Sequence, residues 1–290
     1  MKVSVIIPTY NAERWLAGQL EALLRQTAEA EILVVDSGST DRTVSIAASC
    51  GGRVRLLRIP HESFDHGGTR DWALRQSGGD YVLFLTQDAL PTDARFIETL
   101  LTAFEDPHVA AAFGRQIAYP DAPEYERLTR AFNYPETGRV WSERDIARYG
   151  VKAYFLSDSA SAYRRAAYEA VGGFDAPIAT NEDMTIAAKF LHAGYALAYV
   201  AEASVWHSHR NTLRQEFKRN AAIGRAMEEY KPRLAGAGSG REGLRLVSFV
   251  SGNLLRRGKP GQLCVFLAHT AVRFAGFRAG RRQAGRKEKA

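Results

Sequence analysis

Four short strand-like runs, at positions 3–7, 32–35, 54–59 and 81–85, all but the third mostly apolar, punctuate the first part of the chain, and the segments between them carry apolar residues at helical spacing. Trp15, Leu16, Leu20, Leu23 and Leu24 trace one apolar stripe. Ser39-Thr40-Asp41 offers cap chemistry for a helix running to about Ser49, residues 68–76 read as another, and Pro91-Thr92-Asp93 is expected to open one reaching Phe104. Strands that alternate with helices in this way pair in parallel, because each helix returns the chain to the same end of the sheet. The expected class is α/β, with helices on both faces.

In such sheets ligands gather outside the carboxyl ends of the strands. Three polar clusters fall at those ends: Pro8-Thr9-Tyr10-Asn11, Asp36-Ser37-Gly38-Ser39-Thr40-Asp41 and Gln87-Asp88. The second equally reads as a strand-to-helix turn with an N-cap. A carboxylate at the position of Asp88 suits Mg²⁺ or Mn²⁺ when phosphate oxygens and water fill the other positions. His66-Gly67-Gly68-Thr69-Arg70 places a helix N-terminus and a guanidinium together, a pairing suited to a diphosphate. The spacings of a Walker loop and of a dinucleotide-binding Gly-x-Gly-x-x-Gly are both absent.

Beyond about residue 109 the alternation weakens. Residues 119–150, rich in Pro, Tyr, Arg and Glu, read as a mobile loop region. Strands are expected at 159–164, 195–200 and 203–207, helices at 165–171, 180–193 and 213–230, and a Gly-rich linker at 235–240. Asn181-Glu182-Asp183-Met184 opens an amphipathic helix; acids in a first turn are favoured by the helix dipole, and one of them facing a cleft would serve as a general base. Trp206-His207-Ser208-His209-Arg210 sets two imidazoles on one side of an extended segment, an arrangement for metal or phosphate.

An apolar fraction of 46% with 24% charge is that of a globular chain, and its 290 residues suffice for a large core. Two distant cysteines, Cys50 and Cys264, make neither a disulfide framework nor a metal site, so a reducing cytoplasm is expected. The apolar start is too short for a signal peptide, and no run approaches the roughly 20 apolar residues that span a bilayer. The net charge of +7 is concentrated: from Arg241 onward twelve Lys/Arg stand against Glu242 and Glu288. Two apolar segments, 244–255 and 263–277, flanked by these cations, read either as a helix lying in an anionic membrane surface or as a helical cap on the core. Nucleic acid is not an expected partner, because the tail lacks a recognisable motif or interleaved aromatics.

Taken in order, Val5-Ile6-Ile7-Pro8-Thr9-Tyr10-Asn11, Val34-Val35-Asp36-Ser37-Gly38-Ser39-Thr40-Asp41, Phe84-Leu85-Thr86-Gln87-Asp88, Gly172-Gly173-Phe174-Asp175 and Asn181-Glu182-Asp183 resemble the family 2 glycosyltransferases of GT-A fold, over about residues 1–230. Within that family, Phe64-Asp65-His66-Gly67-Gly68-Thr69-Arg70, Thr86-Gln87-Asp88-Ala89 and His207-Ser208-His209 are similar to bacterial rhamnosyltransferases, which use dTDP-L-rhamnose in surface polysaccharide assembly.

The resemblance implies a Rossmann-like, mostly parallel sheet with a C-terminal helical extension at 231–290. Residues 1–110 would bind the nucleotide sugar, and 111–230 the acceptor. Pro8, Thr9, Tyr10, Asp36, Ser37 and Gly38 would hold the nucleoside. His66, Gly67 and Arg70 would face the diphosphate, with Gln87 and Asp88 at the donor. Asp88, with His207 and His209, would bind a divalent metal, Mg²⁺ or Mn²⁺. Glu182 and Asp183 would meet a saccharide acceptor, free or lipid-linked, with Asp183 as the base of an inverting transfer. Gln87 departs from relatives that carry an acid there, which should weaken metal affinity. The implied location is the cytoplasm, or the inner face of the cell membrane. Alternatives are the same fold using a UDP- or GDP-linked sugar, and a non-catalytic nucleotide-sugar-binding scaffold.

Overall fold

The computed structural model describes residues 1–178, 180–208, 211–234 and 240–287. Strands β1 (Val3–Thr9), β2 (Glu31–Asp36), β3 (Val54–Arg58) and β4 (Tyr81–Leu85) pair in parallel in the order β3-β2-β1-β4. Helices α1 (Glu13–Leu24) and α2 (Thr43–Cys50) cover one face, where Leu16, Leu20 and Ala47 pack on Val5, Ile7, Ile32 and Val34. Helix α3 (His66–Arg75) covers the other, with Ala73 and Leu74 against Ile6, Leu33 and Val35. The inner strands β1, β2 and β4 thus bury both faces and read as mostly apolar runs, whereas the edge strand β3 exposes Arg55 and Arg58.

The sheet then continues with reversed direction. After β5 (Leu90–Pro91) and α4 (Phe96–Leu101) come β6 (Val109–Ile117), α5 (Glu124–Asn133), β7 (Arg139–Trp141), α6 (Ile146–Tyr149), β8 (Ala160–Arg164), α7 (Arg165–Ala170), α8 (Glu182–His192), β9 (Ala196–Trp206) and α9 (Leu213–Glu229). Strand β8 lies antiparallel between β4 and β6, β6 runs parallel to β9, and β5 and β7 pair antiparallel with β9. The fold is α/β with a mixed sheet.

Several local expectations are corrected. Pro91 ends a two-residue edge strand, and the helix begins only at Phe96. The strands expected at 195–200 and 203–207 are one strand, β9, whose register against β6 shifts between Gly114 and Arg115. Residues 119–150 are not a mobile loop region but carry α5, β7 and α6. Trp141 is buried there, its indole donating to Ala153 O at 2.7 Å. The linker expected at 235–240 lies outside the described residues except for Gly240, which starts the next helix.

Helices α10 (Gly240–Arg256) and α11 (Pro260–Lys287) pack on the body of the protein. Leu128 of α5 meets Val250, Leu254 and Phe266 in a small core of its own, and Arg257 and Lys259 reach Glu124. Along α9 the approach of α11 is closer. A side-chain carbon on Gly276 would stand 2.5 Å from Phe217 O; one on Gly280 would strike Ala221, and one on Gly224 would strike Phe277. Small residues let the two backbones touch. Arg273 of α11 then reaches Glu216 of α9 through Nε at 2.9 Å and NH2 at 2.7 Å.

Candidate active site

At the carboxyl ends of β1 and β2 the turns are tied together by side chains. Asn11 Oδ1 accepts from Thr40 N, Ser39 Oγ accepts from Asn11 N, and Thr43 Oγ1 accepts from Ala12 N. Asp36 is fully buried; its Oδ2 accepts from Gly38 N and Ser39 N, both at 3.1 Å, while Oδ1 has no hydrogen-bond partner. A buried orphan carboxylate oxygen calls for a donor, and a nucleobase N–H or ribose hydroxyl supplies one. Gly38 has φ 82°, and a Cβ there would press on His61 at 3.3 Å. The His61 ring lies tilted against the half-exposed Tyr10 ring with centroids 4.5 Å apart, so two aromatic rings stand beside Gly38. Thr9 and Ser37 are buried: Thr9 Oγ1 donates to Val35 O and Ser37 Oγ to Thr9 O. Pro8, within β1, pairs in register with Val35.

At the end of β4, Gln87 turns toward the backbone of Tyr10, accepting from its N–H at 2.8 Å and donating to its carbonyl at 3.2 Å. A carboxylate accepts only and would lose the second bond. This explains why an amide rather than an acid stands here. Asp88 lies next to the loop after β9: His207 Nε2 is 3.3 Å from Asp88 Oδ1, and the imidazole is 2% exposed. Tyr119 Oη donates to Asp88 O at 3.2 Å; burial first, and the Asp88 charge second, push this phenol up to about 12. His209 lies outside the described residues. Among the described residues no group of three His, Cys, Asp or Glu gathers as a metal cage. The pair Asp88–His207, one hard oxygen and one imidazole nitrogen at one point, nevertheless fits two positions of a divalent cation's shell.

Helix α8 brings a second acidic cluster. Asn181, with φ 67°, turns the chain into it, and Asp183 Oδ1 accepts from Met184 N at 2.8 Å. Glu182 points the other way, to Arg70 NH1 at 3.1 Å, and Asp158 Oδ2 is 3.6 Å from Arg70 Nε. Asp158 Oδ1 also accepts from Tyr163 Oη at 2.6 Å and Ser161 Oγ at 2.7 Å. Burial raises Asp183 well above the ordinary carboxylate range, and the charges of Glu182 and Asp158 raise it further. Asp158 is raised too, chiefly by burial. Burial opposes the charge of Arg70, but Glu182 and Asp158 more than restore it.

The residues expected at the diphosphate, His66, Gly67 and Arg70, already have protein partners here. Arg70 has only 5% of its side chain exposed, and a phosphate would have to displace Glu182 to reach it. The first turn of α3 is occupied as well. Gly68 N donates to Asp65 Oδ1, and a Cβ on Gly67 would stand 2.5 Å from Asp175 O. These glycines make room for the 173–178 loop. His66 stays at the rim, 3.8 Å from Glu182, and partial burial followed by the Arg70 charge lowers it to about 4, so it is neutral.

Asp183 opens on a cavity of about 430 Å³ that His207, Asn211, Glu216, Arg219, Asn220 and Arg273 also line. Asp88 opens on a neighbouring one of about 330 Å³, with Trp15, Tyr119 and Asn211. Asn211 belongs to both, and His207 stands between Asp183's cavity and Asp88. Two acids far apart in the chain thus line two cavities that share Asn211. Within the larger cavity Glu216 is held below the ordinary carboxylate range by Arg273, against the effect of burial. Sequence reasoning missed Asp158, His61, Asn211, Glu216 and Arg273. Asp158, between two serines just before a strand, was the one with a visible signal.

The sequence family described as Glycosyl transferase family 2 matches residues 4–172. The chain is 39% identical to the O-antigen chain rhamnosyltransferase RfbN of Salmonella typhimurium, over 97% of this chain and 90% of that one. It is also 39% identical to the O-antigen chain rhamnosyltransferase WbaN of Salmonella anatum, over 96% and 89%. Among solved structures it resembles the mannosyltransferase PcManGT from Pyrobaculum calidifontis in complex with GDP-Man and Mn²⁺, with TM-score 0.64 and 19% identity over 96% of this chain and 86% of that one. S. aureus TarS 1-349 in complex with UDP-GlcNAc gives TM-score 0.59 and 17% identity over 99% and 92%. These two likenesses concern the fold, which is GT-A-like.

Proposed function

The chain belongs to glycosyl transferase family 2, and from that premise we propose that it transfers L-rhamnose from dTDP-L-rhamnose, with inversion, to a saccharide acceptor in O-antigen assembly. The observation that carries this reading is a pair of cavities sharing Asn211, one lined by Asp183 and His207 and the other by Asp88, with His207 Nε2 3.3 Å from Asp88 Oδ1. The rhamnose assignment draws on the names of the two Salmonella relatives.

The nucleoside lies at the ends of β1 and β2, where Asp36 Oδ1 accepts the base N–H or a ribose hydroxyl and Tyr10 and His61 edge the base. Asp88 and His207 would hold a divalent cation, which would supply positive charge to stabilise the leaving group. The acceptor hydroxyl enters from the 430 Å³ cavity, where Asp183 takes its proton as the new glycosidic bond forms. Burial suits Asp183 to that task, because a raised pKa makes a stronger base. Asp158, Glu182 and Arg70 hold α8 and α3 together behind it.

A thermal-shift series checks the donor. With Mn²⁺ present, dTDP is expected to raise the melting temperature more than UDP or GDP at equal concentration. A tenfold affinity preference amounts to about 1.4 kcal/mol of added stabilisation. A clear preference for UDP would replace dTDP-rhamnose by another donor.

The tail supports a second element of the reading, docking on an anionic membrane. No helix among the described residues is long and apolar enough to cross a membrane. Yet the face of α11 turned away from α9 exposes Val265, Leu267, Ala268, Ala271, Phe274 and Ala275, and the exposed Arg278, Arg281 and Arg282 follow. Apolar contact beside cations matches a surface of anionic headgroups. In flotation with phosphatidylglycerol-containing vesicles, the full chain is expected to rise with the lipid, and Phe274→Glu to lose most of that binding. Equal behaviour of the two, or equal binding to pure phosphatidylcholine, would remove this element.

A further inference from the structure

His207 has two ring nitrogens, and its surroundings decide which carries the proton in the neutral ring. Nδ1 lies 2.8 Å from Gln116 Oε1. That oxygen also faces NH1 of Arg130, a group that can only donate, while Gln116 Nε2 donates to Ser157 Oγ at 2.8 Å. Turning the amide over would set its NH₂ against the guanidinium. Gln116 therefore accepts from His207, and Nδ1 carries the hydrogen. The lone pair is left on Nε2, the atom 3.3 Å from Asp88 Oδ1. The orientation is anchored further out, because Arg130 Nε donates to Glu126 Oε1 at 3.0 Å and Gln116 is only 2% exposed.

We propose that Gln116 is a positioning residue: it holds His207 in the Nδ1–H tautomer, so that Nε2 and the Asp88 carboxylate face a divalent cation together. This rests on the reading that these two residues hold the cation. The chain of contacts runs from Glu126 and Arg130 on α5, through Gln116 on β6, to His207 after β9 and Asp88 after β4. A partner that fixes the far nitrogen of a metal-binding imidazole sets both ring direction and tautomer.

The test labels the chain with ¹⁵N-histidine and identifies the His207 signals by their loss in His207→Gln. Long-range ¹⁵N–¹H spectra should show the Nδ1–H pattern in the wild type. Gln116→Glu, which still accepts, should keep it; Gln116→Met should lose it. Manganese affinity, read by electron paramagnetic resonance with dTDP present, should fall about 10–100-fold in Gln116→Met and stay within a few-fold in Gln116→Glu. Affinity for dTDP alone should not change, and circular dichroism with thermal melting confirms that both variants fold. An Nε2–H ring in the wild type would overturn the proposal, as would Gln116→Met with unaltered tautomer and manganese affinity. The expected tautomer with no manganese binding would count for the hold of Gln116 on the ring and against the cation reading of the preceding subsection.

Discussion

Replacing Asp183 with asparagine is expected to lower the transfer rate by at least about 10²–10⁴-fold while raising the melting temperature at neutral pH by a few degrees. Both effects come from the same crowding of buried acids. Partial burial in the cavity wall, and then the charges of Glu182 and Asp158, hold the proton of Asp183 well above the unfolded value of 3.8. A carboxyl raised in this way adds stability that is fully present below the unfolded value and is lost as pH rises through the folded one. Asparagine removes that loss and keeps the acceptor for Met184 N. The melting difference should accordingly shrink toward pH 4. In the wild type the acid limb of kcat/KM should fall at a pH above the ordinary carboxylate range, because only the ionised base accepts a proton. A variant with near-normal turnover would remove Asp183 from the role of base. A variant that melts lower than wild type at neutral pH would contradict the crowding.

The second large effect is on architecture. Introducing valine at both Gly276 and Gly280 is expected to destabilise the chain by about 2–6 kcal/mol, taking about 1–3 kcal/mol for each overpacked site. Side-chain carbons at these positions would run into the Phe217 and Ala221 backbone of α9, which cannot swing aside as a flexible side chain does. That is a substantial part of the roughly 5–15 kcal/mol by which domains are stable. Pushing α11 outward also withdraws Arg273 from Glu216 in the wall of the Asp183 cavity, so transfer should suffer, while binding of dTDP, proposed at the ends of β1 and β2, should persist. Gly285→Ala is the control. Nothing lies within 4 Å of the carbon it adds, and alanine favours a helix, so this variant should melt at or slightly above the wild-type temperature. Chemical denaturation of the three proteins checks the order, and a double variant as stable as wild type would mean that the helices do not touch as described.

Much of the first half was legible from the amino acids alone. Strands β1, β2 and β4 are buried on both faces and read as mostly apolar runs, and Asp36 and Asp88 stand just at or after their ends for any reader of the pattern. The second half hid itself for physical reasons. Strand β6 opens Val109-Ala110-Ala111-Ala112, small residues buried on both sides that show neither alternation nor bulk. Helix α5 spaces Tyr125, Leu128 and Phe132 among Glu124, Glu126, Arg127 and Arg130, and only Leu128 of these three is buried, so the run of charges masks a helical stripe. Arg70 concealed its partners for another reason. Beside a glycine pair at a helix start it looks built for phosphate, and only tertiary structure delivers Asp158 and Glu182 to it from far along the chain. Gln87 shows the converse, a departure at a motif position whose purpose, gripping Tyr10, became plain only with the backbone in place.

Helix α11 presents oily side chains around most of its circumference, so hydrophobicity alone gives it no preferred azimuth. Any rotation about its own axis would bury a comparable surface against α9. Gly276 and Gly280 break this degeneracy, because only one rotational phase lets the two backbones come so near. That phase also aims Arg273 inward and Phe274 outward. Two residues without side chains thus act as a keyway for the whole terminal helix, deciding at once what it offers to the cavity and what it offers to the outside.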